Sequence, residues 1–373
     1  MSNPYRNRPP HTFWKAGVSD CAASGVDPVT DVPFTLAQNH AVATAGSCFA
    51  QHISRTLVAQ GFHYLVTETY QGKPGTVDEN YGVFPARFAN LYTSRQLVQL
   101  FDRAYGLSQP AVDWWQGKNQ EFIDPFRPRI QAGGFATAEL LLADREQHFA
   151  AVRAMFEQCQ VFIFTLGLTE TWMLPDGSAL PLAPGVVAND SQDSAATFVN
   201  LGVGEIIADL DEFLAKFATV NPTAKIILTV SPVSLIATYE NRHVLVSTIA
   251  SKSILRAAAE DISKRHAHVA YFPSYEIITG PQTAAKFYAP DLREVTPEGV
   301  AYVMSIFTRH FLSSETKITN AAPPTKAPVM ANAPQKLPTP APAIGRTQEM
   351  TEQDTARMQE IADIICDEEA IVE

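Results

Sequence analysis

The chain has 373 residues, of which 46% are hydrophobic and 18% are charged, and its formal net charge is −11 at pH 7. This length and apolar content predict a globular protein of one large domain or two smaller ones. The negative charge, with no basic stripe to offset it, excludes nucleic acid from the expected partners.

The chain begins with an arm, residues 1–34, that is rich in proline and polar residues. Three large aromatic side chains interrupt its polar character, and burying them against the domain would stabilise the arm. We therefore expect Phe13, Trp14 and Phe34 to anchor the arm on an α/β domain that spans residues 35–314.

The first predicted strand ends beside two possible nucleophiles. The apolar run at residues 40–45 predicts a strand, and Gly46, Ser47 and Cys48 follow it directly before an amphipathic helix pattern. Open α/β sheets place their sites at this edge, and the start of a helix favours negative charge and a thiolate. The alternative is an ordinary turn in which the cysteine packs as a small apolar side chain.

Two irregular stretches further along carry arginine and asparagine side chains. Arg87 and Asn90 lie in a loop that either binds a ligand or is tied down by these side chains. Arg127 and Arg129 flank a proline and either form a fork for a carboxylate or phosphate or lie on the surface in salt bridges.

Strands and helices alternate along the rest of the domain, which predicts a mostly parallel sheet between layers of helices. A further helix is expected to begin at Thr93 or Ser94, where a hydroxyl can cap it. The remaining predicted strands are 62–66, 161–166, 225–230 and 269–272, and the remaining predicted helices are 137–159, 203–219, 246–266 and 296–311.

Polar side chains follow several of these strands, at the edge where the carboxyl ends of parallel strands meet. Their convergence is the strongest indication, from the residues alone, of an active site. They are Ser47, Cys48, Thr169, Glu170, Ser231, Ser274 and Glu276.

The composition changes beyond the α/β domain. Residues 315–345 are rich in proline and alanine and are expected to form a linker. Residues 346–373 are acidic, with apolar residues spaced for a short amphipathic helix, and are expected to form a weakly attached tail. The tail's protein partner, if it has one, is not identified by this pattern.

The four cysteines form no Cys-x-x-Cys pair, so neither a zinc site nor a disulfide framework is predicted. The N-terminus lacks the apolar segment of a secretory signal, and no apolar run reaches the ~18 residues of a membrane helix. We therefore expect a cytoplasmic protein without a membrane span.

Residues 46–50 read Gly-Ser-Cys-Phe-Ala, the signature after which the GSCFA family is named. Blocks similar to that family extend the resemblance from about residue 35 to residue 312, at 81–93, 124–129, 164–170, 229–233 and 271–276. The family in turn resembles the SGNH (GDSL-like) hydrolases. This resemblance implies a three-layer α/β/α sandwich with a flavodoxin-like, mostly parallel sheet.

The same resemblance implies an esterase or acyltransferase that acts on an acylated carbohydrate, as in polysaccharide modification. No cofactor would be required, and an acyl-CoA could be the donor if the reaction is a transfer. On the superfamily's Gly-Asp-Ser block, Cys48 takes the nucleophile's position, whereas a shift by one residue gives that position to Ser47. The residues that the resemblance and the loops assign to oxyanion or substrate binding are Arg87, Asn90, Gly167, Thr169, Glu170 and Ser231.

The superfamily's Asp-x-x-His block matches residues 291–294, where Glu294 replaces the histidine. Asp291 and Glu294 could together manage the proton, and His243 and His52 are alternative bases. The same replacement supports another function, that of a catalytically silent module binding a glycan or nucleotide in the retained pocket.

Overall fold

A computed structural model describes residues 3–70, 80–183, 185–187 and 195–313. The predicted linker and acidic tail lie outside these residues. The strands are β1 (Val42–Gly46), β2 (Trp115–Gln116), β3 (Phe122–Ile123), β4 (Val161–Leu166), β5 (Glu170–Met173), β6 (Ala179–Leu180), β7 (Thr197–Asn200), β8 (Lys225–Val230) and β9 (Val269–Phe272). The helices are α1 (Ala50–Ala59), α2 (Ser94–Ala104), α3 (Ala138–Gln158), α4 (Val203–Val220), α5 (Val244–Arg265), α6 (Ser274–Thr279) and α7 (Pro297–Phe311).

The central sheet is parallel, with strand order β1-β4-β8-β9. Its strands are almost wholly apolar because helices cover both faces. Side chains alternate along each strand: Phe162 and Phe164 of β4 face one apolar cluster, and Val161 and Ile163 face the other.

Helices α2, α3, α4 and α5 contribute to the first cluster, and α1, α6 and α7 contribute to the second. The predicted three-layer α/β/α fold is therefore confirmed. The predicted helix cap is confirmed at Thr93, whose hydroxyl accepts a hydrogen bond from the amide of Gln96 at the start of α2.

The strand predicted at residues 62–66 is reduced to a single parallel bridge between Val42 and Tyr64. The amide of Val42 donates to the carbonyl of His63 at 3.0 Å, and the amide of Leu65 donates to the carbonyl of Val42 at 2.8 Å. Strand pairing ends there because the amides of Thr67 and Glu68 donate instead to the carbonyl of Pro85.

Two small antiparallel sheets were not predicted, because their strands have only two to four residues of mixed polarity. One pairs β2 with β3, and the other has the order β6-β5-β7. The second begins four residues beyond the end of β4, so it stands at the carboxyl edge of the central sheet.

The N-terminal arm is anchored by residues other than those expected. Phe13 and Trp14 are 40% and 66% exposed, because they lie in short helical turns on the surface, so that part of the prediction is wrong. Phe34 does contact the core. Val29 is buried, and Leu36 is fully buried, forming a bridge with Leu312 after α7.

Candidate active site

The turn after β1 requires glycine at position 46. Gly46 has a φ of +132°, and a Cβ there would lie 2.3 Å from the carbonyl oxygen of Thr165 on β4. The amide of Ser47 donates to that carbonyl at 3.2 Å, and the carbonyl of Ser47 accepts from the amide of Ala50 as α1 begins. This close approach places Ser47 and Cys48 at the carboxyl edge of the sheet, directly before a helix.

Several strand ends meet at a pocket of about 10 Å³ beside this turn, roughly the space that one water molecule needs. Of the polar side chains expected to converge, those after β1 and β8 line this pocket, whereas the end of β4 contributes Gly167 and Leu168 in place of Thr169 and Glu170. The pocket is lined by Ser47, Cys48, Tyr92, Gly167, Leu168, Ser231, Val233, Ser234, Leu235 and Lys252.

The two candidate nucleophiles differ in exposure. Ser47 is 4% exposed, whereas Cys48 is partly exposed to solvent. The hydroxyl of Ser47 has no hydrogen-bond partner among the described residues, and the same holds for Nε2 of Gln51 and Oγ1 of Thr165. Buried polar atoms are normally paired, so unpaired ones around one turn point to a site that receives a ligand or water.

Lys252 is a pocket residue that the sequence interpretation missed. It is 2% exposed, and its ammonium donates to the carbonyl oxygen of Gly167 at 2.5 Å. The signal was present in α5, because Lys252 falls on the buried stripe that includes Leu255, Ala259 and Ile262. A buried lysine ammonium on the apolar face of a helix requires polar partners, and here it reaches one at the nucleophile pocket.

Gly167 shapes the pocket through its backbone. A Cβ on Gly167 would lie 3.2 Å from the Cβ of Ser47, so a side chain there would crowd the candidate nucleophiles. Its amide and that of Leu168 both donate to the carbonyl of Tyr92, at 3.0 and 3.1 Å. The amide that was expected to bind an oxyanion is therefore directed to Tyr92.

Of the other polar residues expected at the site, Ser231 lines the pocket, and its hydroxyl accepts from the amide of Val233 at 3.3 Å. Thr169 lies outside the pocket lining, because its hydroxyl donates to Asn200 at 2.6 Å and its amide donates to Ser251. Asn90 is buried and is likewise absent from the lining.

Ser274 and Glu276 follow β9 but do not line the pocket. The Ser274 hydroxyl donates to the carbonyl of Val230, the last residue of β8, at 2.8 Å. The Glu276 carboxylate accepts from Arg256 at 2.5 Å and from the hydroxyl of Tyr271 at 2.8 Å. Both side chains therefore hold neighbouring elements in place.

Arg87 lies in a buried ionic cluster, away from the pocket. Its guanidinium donates to Asp144 at 2.7 Å and to the carbonyl of Ile130 at 3.1 Å, and the side chain is 1% exposed. Arg127 joins the same cluster through Asp144, whereas Arg129 is exposed. Of the two alternatives for Arg127 and Arg129, the fork is not formed, because Arg127 is buried in the cluster and Arg129 is exposed.

The structure places neither candidate histidine in the pocket. His243 is exposed at the N-cap of α5, where its Nδ1 accepts from the amide of Leu245 at 3.1 Å. His52 packs edge-on against Phe49, with ring centroids 5.3 Å apart. Within the described part of the chain, no imidazole lines the pocket beside Ser47 and Cys48.

Asp291 and Glu294 are exposed in one turn. Asp291 Oδ1 accepts from the amides of Arg293 and Glu294, at 3.1 Å each. Neither carboxylate lines the pocket, but the guanidinium of Arg293 donates to the carbonyl of Ser234, a pocket residue, at 3.2 Å. This segment therefore contacts the pocket wall through Arg293.

Comparison with protein families adds to this geometry. The GSCFA family model matches residues 41–307, which include all the residues that line the pocket. The chain belongs to the GSCFA family. No curated protein matches the chain. In the described part of this GSCFA protein, no helix is long and apolar enough to cross a membrane, and no cluster of His, Cys, Asp and Glu side chains could hold a metal ion.

His52 gives a testable pH dependence next to the site. Burial, aided by the charge of Arg55, lowers the pKa of His52 to about 4. The unfolded chain takes up this proton below about pH 6.5, so folding stability is lost as the pH falls from there towards pH 4.

We expect the free energy of unfolding to fall by about 3 kcal/mol over this window on account of His52. Urea unfolding at several pH values should show that His52→Gln has a shallower decline than the wild type. Parallel curves would contradict the assignment.

Proposed function

We propose that this GSCFA protein catalyses acyl transfer from an ester, to water or to a hydroxyl acceptor, through an acyl-enzyme on Cys48. The observation that carries the proposal is that Ser47, Cys48 and Lys252 line one pocket at the carboxyl edge of the sheet, where the buried ammonium of Lys252 donates to the carbonyl of Gly167. A cation near a thiol and the start of a helix both favour the thiolate, which is the reactive form of cysteine.

The proposed reaction has two steps. In the first, the Cys48 thiolate attacks the ester carbonyl, a C–S bond forms and the C–O bond breaks, and the departing alkoxide takes a proton from the Lys252 ammonium. In the second, water or an acceptor hydroxyl gives a proton to the neutral Lys252 amine as it attacks the thioester, and the thiolate leaves. The hydroxyl of Ser47 would stabilise the oxyanion, because the first amides of α1 already donate to carbonyls of the turn before the helix.

The nature of the substrate is argued from resemblance alone. The likeness to SGNH hydrolases favours an acylated carbohydrate and a role in polysaccharide modification. An acyl-CoA would serve as donor if the second step is a transfer. The cytoplasmic location remains a prediction.

A silent glycan- or nucleotide-binding module is the second candidate function. It is favoured by the pocket's lining, which includes no histidine in the described part of the chain, and by the exposed position of Glu294. In this case the pocket would hold a ligand without forming a covalent bond to it.

Covalent labelling separates the two functions. The protein is treated with p-nitrophenyl acetate, and the acetylated peptide is identified by mass spectrometry in the wild type, Cys48→Ala and Ser47→Ala. We expect rapid acetylation of Cys48, which is lost in Cys48→Ala. Cys21→Ala is the matched control because Cys21 is also partly exposed. Equal labelling of Cys21 and Cys48, or labelling on Ser47, would contradict the assignment of Cys48, and no labelling would favour the silent module.

A further inference from the structure

A second cavity, of about 150 Å³, adjoins the nucleophile pocket. The two share Tyr92, Leu168 and Leu235, so a group attached to an acyl carbon at Cys48 can continue from one into the other. The cavity's outer walls come from the small sheet β6-β5-β7 and from residues 235–239 after β8.

The walls are mainly apolar and aromatic. Trp172 of β5 lies against Phe198 of β7 and Tyr239, with ring centroids 5.8 and 4.8 Å apart. Leu180 and Ile236 add aliphatic surface. Such a lining favours an apolar occupant, because the occupant's surface is removed from water on binding.

Four polar side chains in the cavity wall are already bonded to protein atoms, those of Gln96, Glu170, Thr171 and Thr238. The carboxylate of Glu170 accepts from the hydroxyl of Thr238 at 2.6 Å and from the amide of Tyr239 at 3.1 Å. Oε1 of Gln96 accepts hydrogen bonds from the amides of Tyr92 and Thr93, at 2.9 and 3.0 Å. The hydroxyl of Thr171 donates to the carbonyl of Leu180 on β6. Because these groups already hold the wall together, binding a sugar's hydroxyls to them would cost existing hydrogen bonds, which favours an apolar occupant.

We propose that this cavity is the subsite for the acyl chain, and that it selects chains of four to six carbons over acetyl. The proposal rests on the proposed acyl transfer at Cys48. The size follows from the volume, since an apolar cavity of about 150 Å³ accommodates a molecule the size of benzene. Glu170, which was expected to bind substrate polar groups, instead positions the wall at Thr238 and Tyr239.

The test is the chain-length dependence of ester turnover with one leaving group. p-Nitrophenyl acetate, butanoate, hexanoate and decanoate are compared by kcat/KM. Each buried methylene contributes about fourfold, so hexanoate, with four more methylenes, should exceed acetate by roughly 200-fold, with no further gain for decanoate. Equal kcat/KM for acetate and hexanoate would overturn the subsite while leaving the acyl transfer intact.

A variant that fills the cavity tests whether the chain-length preference arises there. Ala237 lines the cavity and is exposed, so Ala237→Phe places a ring in it without disturbing the core. We expect Ala237→Phe to reduce the hexanoate-to-acetate ratio by at least 10-fold. Ala301→Phe, at an exposed position of α7, is the matched control and should keep the wild-type ratio. Equal ratios in both variants would overturn the proposal.

A binding measurement separates failure of the subsite from failure of the proposed function. Calorimetric titration with hexanamide and acetamide requires no turnover. If no ester is turned over but hexanamide binds more tightly than acetamide, and Ala237→Phe removes this difference, the subsite stands and the acyl transfer fails. If the two amides bind alike, the subsite is overturned.

Discussion

Replacing Arg127 with methionine is expected to lower the free energy of unfolding by about 3–5 kcal/mol, because it leaves buried carboxylates without their main cation. Arg127 is 3% exposed, and its guanidinium donates to Asp124 at 3.0 Å and to Asp144 at 2.8 Å. Asp124 is 2% exposed, and in the variant it would retain Arg145, whose Nε donates to it at 3.2 Å. One cation at one edge of the carboxylate cannot replace the two that now hold it.

The pKa of Asp124 gives this prediction a pH signature. Burial alone would raise that pKa, but the charges of Arg127 and Arg145 outweigh burial and hold it well below its usual range. The stabilisation from Asp124 is therefore present above the unfolded pKa of about 3.9 and is lost only as the pH falls through the lower folded value. Without Arg127 the folded pKa should rise towards or above the unfolded value, so the variant should lose less stability on acidification, and its deficit relative to the wild type should be largest at neutral pH and shrink as the pH falls.

The matched control is Arg129→Met, two residues further along the chain. Arg129 is exposed, so its replacement should change the free energy of unfolding by no more than about 0.5 kcal/mol. Urea unfolding of both variants at pH 7 and pH 5 measures the difference. Similar losses in the two variants would show that the buried cluster does not stabilise the fold as argued.

The buried ionic cluster also contains a contact that the sequence does not predict. Arg127 and Arg129 have the same chemistry and stand two residues apart, yet only Arg127 meets Asp144, which lies on α3. That encounter depends on tertiary packing, which local patterns do not encode. A strand such as β4, by contrast, can be predicted from its continuous apolar run, because both of its faces are buried.

The site was predictable to the same degree. Ser47, Cys48 and Ser231 were predicted to meet because they follow strands that share one sheet edge, whereas Gly167 was predicted from the family resemblance. The sequence offered Asp291 and Glu294, and as alternatives His243 and His52, to carry the proton, but none of these side chains lines the pocket. Lys252 comes from the middle of α5, where side-chain direction rather than strand order brings it to the pocket.

Replacing Lys252 with methionine is expected to reduce kcat/KM for ester turnover by 10²- to 10⁴-fold, the usual range for removing a general acid–base group. The fold should survive, because exchanging a buried charge for an apolar side chain of similar volume is often neutral or stabilising. Unfolding by urea checks this point. Lys264→Met is the matched control on the same helix, since Lys264 is 73% exposed and should be dispensable.

Lys252→Arg separates the two roles proposed for the ammonium. Arginine keeps the positive charge but does not release its proton in proteins, so it can stabilise a thiolate without serving as the acid in the first step. We expect Lys252→Arg to retain rapid alkylation of Cys48 by iodoacetamide at pH 7 but to lose ester turnover. In Lys252→Met, alkylation should require a higher pH, approaching that of an ordinary thiol at about pH 8.5. Full turnover in Lys252→Arg would show that the charge alone suffices, and the proton would then need another carrier.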